Sequence, residues 1–332
     1  MKDVVAALAS RARAVSSAAG SSIAGSARFR PALVLPVLLL LVFPSVVAAD
    51  ASAAAVSTDE FTDIVVPGAA FTEAFGINAR GDVVGTYSDQ TGPNSFLVHS
   101  FVLHHGSYST LDDPDEAISL STRALGINEQ GDVVGSYVGC AVPDCSSIRL
   151  FGFVLHAGTY TRIDYPNSLS TIAQGINARG DIVGMYRDGT GTHSYLLHGG
   201  SYTSIDYPGV ASTTNAIAIN PQGDVVGVYR DATGTHGFLL HDGSYTTIDE
   251  PDAVSVTATL GINERGDIVG TYRDGRGQHG FLLRQGTFTS IDPPTASPVR
   301  PFTLANGINS RGDIVGVYND TATTSRGFLL AP

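Results

Sequence analysis

Short apolar segments alternate with polar and glycine-rich turns along residues 61–331. One copy of the pattern has four such segments, at residues 201–205, 216–219, 224–229 and 237–241. They are rich in β-branched and aromatic residues, and none is long enough or periodic enough at 3.6 residues to form a helix. The pattern predicts four short β-strands in each copy.

The pattern is an internal repeat, marked by the motif Asn-x-x-Gly-Asp between the second and third segments of each copy. Its six asparagines, 43 to 50 residues apart, are Asn78, Asn128, Asn177, Asn220, Asn263 and Asn309. A period of this length is typical of solenoids, propellers and arrays. Asparagine at the first position of the motif and glycine at the fourth favour a type I turn that ends in a left-handed glycine. Such a turn makes a tight hairpin.

The lengths of the links predict how the strands pair. The link from second to third segment is tight, as is the link from the fourth segment to the first segment of the next copy. Short links join antiparallel neighbours, so each sheet should have the order second, third, fourth, first. The sequence therefore predicts an all-β fold, a six-bladed β-propeller of four-stranded antiparallel blades. In it the N-terminal strand at 61–66 closes the last blade beside 327–330; an open stacked β-array is the alternative.

Residues 1–49 have a different character from the repeats. Arg28 and Arg30 precede an apolar run at 31–47, which ends in small residues. This order is typical of a secretory signal peptide, and an uncleaved N-terminal anchor is the alternative. We expect the propeller to occupy 50–332 and the protein to be secreted, or to lie in the periplasm or at the cell surface.

Charge limits the kinds of partner that the protein can bind, and the cysteine content predicts a disulfide. The chain has a net charge of -12, and outside its first 49 residues it has 14 arginines, no lysine and 30 acids. This balance disfavours nucleic acid, and it disfavours a membrane partner beyond the possible anchor. Cys140 and Cys145 are the only cysteines. In an exported chain their close spacing predicts a local disulfide. Two cysteines alone make a poor zinc site, because structural zinc is bound by four ligands.

Three stretches carry a resemblance to a known family. They are His-Gly-Phe-Leu-Leu-His at 236–241, Tyr-Thr-Thr-Ile-Asp at 245–249 and Gly-Ile-Asn-Glu-Arg-Gly-Asp-Ile-Val-Gly at 261–270. Their order resembles that of the HAF-repeat family of bacterial extracellular repeat proteins, over about residues 60–331. The resemblance implies an exported bacterial protein of unestablished activity and supplies no catalytic residues. The first copy departs from the pattern at Val65, and the last departs at Arg326.

The two longer links of each copy share one face of the predicted propeller, hereafter the long-loop face. They are the loops from third to fourth segment and the proline-containing links from first to second. Binding residues favour loops on rigid scaffolds, so this face is the candidate working surface. The candidate binding residues are Arg187, Asp188, His193, Arg230, Asp231, His236, Arg273, Asp274 and His279.

The recurring histidines and acids also have structural interpretations. Eight of the nine histidines recur in register, which favours structural hydrogen bonding over a ring of metal ligands. The aspartate after each turn glycine is predicted to satisfy backbone groups of the turn. Asp188, Asp231 and Asp274 of the longer loops could place oxygens around calcium, but no Asp-x-Asp-x-Asp-Gly loop occurs. No metal site is assigned, and the four Arg-Gly-Asp tripeptides are attributed to the turn.

The function predicted from these features is that of an exported, non-catalytic, monomeric scaffold that binds an unknown protein or glycan. No cofactor is expected, and the partner would bind the long-loop face or an acidic central channel. The alternative is a secreted hydrolase or lyase with a shallow site on the same face. Non-repeated polar residues clustered at the channel mouth would favour this enzyme. A purely structural envelope component is the third interpretation.

Overall fold

The computed structural model describes residues 61–92, 95–112, 121–142, 146–210, 213–298, 300–321 and 324–332. The predicted leader or anchor at 1–49 lies outside the described residues and stays a prediction. Within the described ranges every regular element is a strand. No helix in this part of the chain is long and apolar enough to cross a membrane.

The first twelve strands cover the first half of the chain. They are β1 (Phe61–Ile64), β2 (Phe71–Ile77), β3 (Val83–Gly92), β4 (Ser95–His104), β5 (Ser107–Thr110), β6 (Thr122–Ile127), β7 (Val133–Cys140), β8 (Ile148–His156), β9 (Thr159–Ile163), β10 (Ser170–Ile176), β11 (Ile182–Arg187) and β12 (Thr192–His198).

The other twelve strands repeat the same arrangement. They are β13 (Ser201–Ser204), β14 (Thr214–Ile219), β15 (Val225–Arg230), β16 (Thr235–His241), β17 (Ser244–Ile248), β18 (Val256–Ile262), β19 (Ile268–Arg273), β20 (Gln278–Arg284), β21 (Thr287–Ile291), β22 (Thr303–Ile308), β23 (Ile314–Thr321) and β24 (Thr324–Leu330).

The fold is an all-β propeller with four-stranded antiparallel blades. Four sheets have four strands each, in the orders β2-β3-β4-β5, β6-β7-β8-β9, β10-β11-β12-β13 and β1-β24-β23-β22. The predicted order of second, third, fourth and first segment is therefore confirmed.

The prediction of six separate blades does not match the observed sheets. The remaining strands, β14 to β21, form one eight-stranded sheet. Its halves are joined by a single parallel bridge between Thr235 of β16 and Val256 of β18. The physical reason is local, because the start of β18 lies beside the start of β16, where Thr235 N donates to Ser255 O at 3.2 Å.

The N-terminal strand closes the last sheet, as predicted. β1 pairs antiparallel with β24, with Phe61 opposite Leu330 and Ile64 opposite Gly327. The ring of Phe61 packs edge-on against Phe328 at 5.6 Å between centroids. The strand therefore covers the outer edge of β24, which would otherwise present unpaired backbone groups.

The hairpins after the innermost strands have the predicted geometry. In the first, Gly81 N donates to Asn78 O at 3.0 Å and Asn78 N donates to Asp82 O at 3.1 Å. Gly81 has a φ of 84°, and the equivalent glycines of the other five hairpins are also left-handed. Glycine reaches this conformation without steric cost, which explains its place in every copy.

A closed cycle of hydrogen bonds links these hairpins around the axis. The Nδ2 of each motif asparagine donates to the backbone carbonyl of the motif asparagine in the next repeat, at 3.0 to 3.3 Å. The last bond, from Asn309 to the carbonyl of Asn78, returns to the first repeat. The innermost strands also approach closely, since a Cβ added at Gly126 would lie 2.7 Å from Gln174 O.

Candidate functional site

The loops of the long-loop face are held by their own aspartates. Asp188 Oδ1 accepts the Thr190 N–H at 2.7 Å, the Thr190 hydroxyl at 2.6 Å and the Gly191 N–H at 3.2 Å. The Thr190 side-chain hydrogen bond is the main reason that the pKa of Asp188 is lowered. Asp231 accepts the same set of bonds in the next repeat, and its pKa is lowered to about 2.

A histidine joins each of these loops to the strand end behind it. His193 Nδ1 lies 3.0 Å from Asp206 Oδ2, and its Nε2 lies 2.8 Å from Thr190 Oγ1. His236 repeats this arrangement with Asp249 and Thr233. His279 lies between Asp292 at 2.7 Å and Asp274 at 3.2 Å. The structural interpretation of these three histidines is therefore confirmed.

The three arginines of the candidate set are exposed at the ends of consecutive third strands. Arg187 ends β11, Arg230 ends β15 and Arg273 ends β19. Arg273 Nη2 donates to Gln278 Oε1 at 3.1 Å. The nine predicted residues thus form three separate clusters, one in each of three consecutive repeats. The fold aligns the clusters along one face without bringing them to a single point.

The aspartates after the turn glycines have a different role from the predicted one. The backbone N–H groups of the turn are satisfied by asparagine, since Asn177 Oδ1 accepts from Arg179 N and Asp181 N at 2.9 and 3.0 Å. The Asp181 carboxylate instead accepts from Asn177 Nδ2, Arg179 Nε and His198 Nδ1 at 2.9, 2.9 and 2.5 Å. Because the asparagine is the first residue of the turn, its Oδ1 accepts from these backbone N–H groups. The carboxylate of the aspartate therefore accepts hydrogen bonds from side chains.

This arrangement also explains the Arg-Gly-Asp tripeptides. In the tripeptide at 179–181, Arg179 pairs with its own Asp181, whose side chain is only 6% exposed. An adhesion tripeptide must offer both charges to a partner, whereas here the carboxylate faces the protein. The attribution of these tripeptides to the turn is therefore confirmed for this copy.

A cavity of about 570 Å³ lies on the axis of the propeller. It is lined by the second half of every innermost strand and by the residue after each motif asparagine. Its lining therefore reaches the tight-turn face, which is opposite the long-loop face. The acidic character predicted for the central channel is limited to Glu129 and Glu264, which are the only carboxylates among the lining residues.

Sequence reasoning missed the polar residues that break the repeat on the innermost strands. Glu73 and Arg123 occupy equivalent positions in β2 and β6, and Asn215 follows in β14. Burial raises the pKa of Glu73, against the opposing effects of the Arg123 charge and a hydrogen bond from Thr86. Gln174 donates its amide N–H to Asn215 Oδ1. Comparing the six copies position by position, instead of seeking their common motif, would have revealed these residues.

Two further expectations concern metals and cysteines. In the described ranges no group of three or more His, Cys, Asp or Glu side chains is arranged to hold a metal ion. Cys140 ends β7. Cys145 lies outside the described residues, so the predicted bridge between the two remains a prediction.

Comparisons with known proteins add a fold likeness only. No family model and no curated protein matches the chain. TolB from Acinetobacter baumannii is 11% identical with a TM-score of 0.47, and the match covers 80% of this chain and 65% of that chain. The β-propeller domain of the Trilobed protease from Pyrococcus furiosus is 10% identical with a TM-score of 0.48, over 78% of this chain and 95% of that chain.

A lectin shows a similar degree of structural similarity to this chain. The fucose-specific lectin from Aleuria aurantia is 15% identical with a TM-score of 0.47, over 78% of this chain and 91% of that chain. Structures this distant carry no argument about the function of this chain.

Proposed function

We propose that this protein is an exported, non-catalytic binding module that presents its long-loop face to a protein or glycan partner. The observation that carries the proposal is the repetition of one internally hydrogen-bonded loop in three consecutive repeats. In each loop an aspartate caps the turn and a histidine ties the loop to the strand behind it. Loops held in this way lose little conformational entropy when a partner binds.

The exposed arginines supply the chemistry of the proposed surface. Arg187, Arg230 and Arg273 stand in a row on a chain that is otherwise acidic. Each guanidinium offers planar donors that suit carboxylates and hydroxyl groups. Stacked tyrosines lie behind the row, with Tyr165 over Tyr186 at 3.6 Å and Tyr207 over Tyr229 at 3.8 Å between centroids. A glycan or protein with carboxylates along one edge fits this surface.

The proposed family, export and location of the protein rest on the sequence features. We infer that the chain belongs with the HAF-repeat proteins, that residues 1–49 direct its export and that the mature chain is a secreted or periplasmic monomer. We also infer six blades, counting the eight-stranded sheet as two. The support is the closed cycle of six asparagines and the recurrence of the joining bridge elsewhere. Equivalent parallel bridges occur at Val98–Ser121, Thr192–Thr213 and Gln278–Phe302.

The experiment that tests the binding face is a comparison of two triple variants on a printed array of acidic and neutral glycans. The first variant replaces Arg187, Arg230 and Arg273 by glutamine. The control replaces three exposed turn residues of the opposite face, His105, Asp242 and Gln285, by asparagine, which tolerates their positive φ. We expect the first variant to lose binding at least tenfold and the control to keep it. Equal binding by both variants would contradict the face assignment.

A specific observation favours a hydrolase or lyase as the second candidate. Glu73 and Arg123, together with Asn215, are non-repeated polar residues in the long-loop half of the innermost strands. A carboxyl with a raised pKa suits a general acid. Hydrolysis of chromogenic glycosides or esters that is abolished by Glu73→Gln would favour this candidate over the binding module.

A further inference from the structure

We propose that the axial cavity binds a small cationic ligand with an apolar body, of the alkylammonium class. The cavity lies toward the tight-turn face, so this site is separate from the long-loop face and does not depend on it. Its volume of about 570 Å³ falls within the range of about 300–1,000 Å³ that is typical of small-molecule sites.

The wall of the cavity is mostly apolar. The residue before each Gly-Ile-Asn or Ala-Ile-Asn step faces the axis, and in four repeats it is Phe75, Leu125, Ile217 or Leu260. All four side chains are only partly buried. They therefore offer contact area to an apolar group, and the Phe75 ring also offers a face to a cation.

The two remaining positions of this ring are amides whose donors are already used. Gln174 donates to Asn215 Oδ1, and Asn306 Nδ2 donates to Ala74 O at 2.8 Å. Among the described residues neither Gln174 Oε1 nor Asn306 Oδ1 has a hydrogen-bond partner. Three steps of the asparagine cycle separate their repeats in either direction, so they lie on opposite sides of the axis. The cavity wall thus contributes hydrogen-bond acceptors from its side chains.

Two carboxylates lie at the mouth of the cavity. The residue after the motif asparagine is Glu129 in the second repeat and Glu264 in the fifth, which again lie opposite each other. Glu129 accepts the Ala79 N–H at 3.0 and 3.1 Å, and Glu264 is exposed. The lining includes no arginine, lysine or histidine. Acceptors in the wall and carboxylates at the mouth favour a cation, and the apolar wall favours an alkyl or aryl body.

The experiment is calorimetric titration of the full chain with three probes of equal chain length: octyltrimethylammonium, octanol and octanoate. The test variants are the double variant Glu129→Gln, Glu264→Gln and the cavity-filling variant Leu260→Trp. The control is Asp242→Asn, which removes one charge from the same face at a side chain that is 92% exposed. Both glutamine substitutions are at the surface, so they test the charge preference without filling the core.

We expect the ammonium probe to bind one per chain and at least tenfold more tightly than octanoate, with octanol between them. The double glutamine variant should lose about tenfold in affinity for the ammonium probe, and Asp242→Asn should lose less than twofold. Leu260→Trp should abolish binding of all three probes. Equal affinity for ammonium and carboxylate probes, no binding of the ammonium probe, or unchanged affinity in the double glutamine variant would overturn the proposal.

Discussion

At the scale of single residues, the long-loop face is built on one recurring contact between a histidine or arginine side chain and an aspartate. In four repeats a histidine makes it, as between His99 and Asp112 at 2.5 Å. In one other repeat an arginine makes it, between Arg149 and Asp164 at 2.5 Å. Since histidine and arginine serve the same aspartate position in different repeats, the contact is structural, and metal or acid–base chemistry need not explain the histidines.

The buried aspartates of the tight turns predict how stability depends on pH. Burial acts to raise the pKa of Asp181. Hydrogen bonds from His198, Asn177 and Arg179 outweigh this effect, so the pKa is lowered in the folded protein. Asp82 and Asp267 show the same direction. A carboxyl with a lowered folded-state pKa stabilises the fold fully above its unfolded pKa of about 3.9 and loses this effect as pH falls through the folded value.

We therefore expect the free energy of unfolding to fall as pH is lowered from about 5 toward the lowered pKa values. Asp181→Asn should cost about 1–3 kcal/mol at pH 7 and progressively less in acid, because the wild type loses the same charge there. Urea titrations at a series of pH values measure this. Asp242→Asn, at an exposed position, is the control and should run parallel to the wild type. A constant difference between Asp181→Asn and the wild type at every pH would contradict the prediction.

At the scale of elements, turn chemistry made the strand order predictable. Asparagine and glycine at fixed positions identify each tight hairpin, and link length then decides which strands are neighbours. The boundary between sheets was not predictable in this way, since it depends on whether one residue, Val256, continues a strand. The role of the turn aspartates was missed because the competition between Asn177 and Asp181 for the same backbone groups is decided by three-dimensional reach.

The strand β1 provides the prediction at this scale. Its Ile64 is 3% exposed and packs into the core between the last and first sheets. The free energy of unfolding should be lower by about 3–5 kcal/mol in a chain that lacks residues 1–66, because this chain no longer buries Ile64 and exposes the edge of β24. We expect a melting temperature lower by about 10 °C, measured by circular dichroism. A chain that lacks only residues 1–58 is the control. Equal melting temperatures would show that β1 does not hold the ring closed.

At the scale of the whole molecule, the ring was predictable and its interior was not. Six copies of one motif predict closure, because each copy buries its apolar faces only against its neighbours. The axial cavity depends instead on the residues in which the copies differ, such as Gln174 and Asn306. A consensus of the repeats removes these differences, so it predicts an acidic channel and not a mostly apolar cavity with amide groups in its wall.

A closed ring of equivalent repeats also predicts that the chain can begin at another hairpin. β16 and β17 are joined at Asp242 and Gly243 in the same way that β24 and β1 meet across the chain ends, where Phe61 pairs with Leu330. A permuted chain that starts at Gly243, with Pro332 linked to Phe61 through a two-residue turn, should therefore fold. In this permuted chain the pairing of β17 with β16 brings the two chain ends together and closes the ring. We expect a melting temperature within about 5 °C of the parent.

The matched control is a permuted chain that is cut between Arg265 and Gly266 and has the same linker. That cut opens the turn in which Asn263 Oδ1 accepts from Arg265 N and Asp267 N at 2.9 and 3.0 Å. It also disturbs one step of the asparagine cycle, so we expect a melting temperature lower than that of the first permuted chain by about 5–10 °C. The reverse order of stability would mean that the outer hairpins, and not the axial turns, hold the ring together.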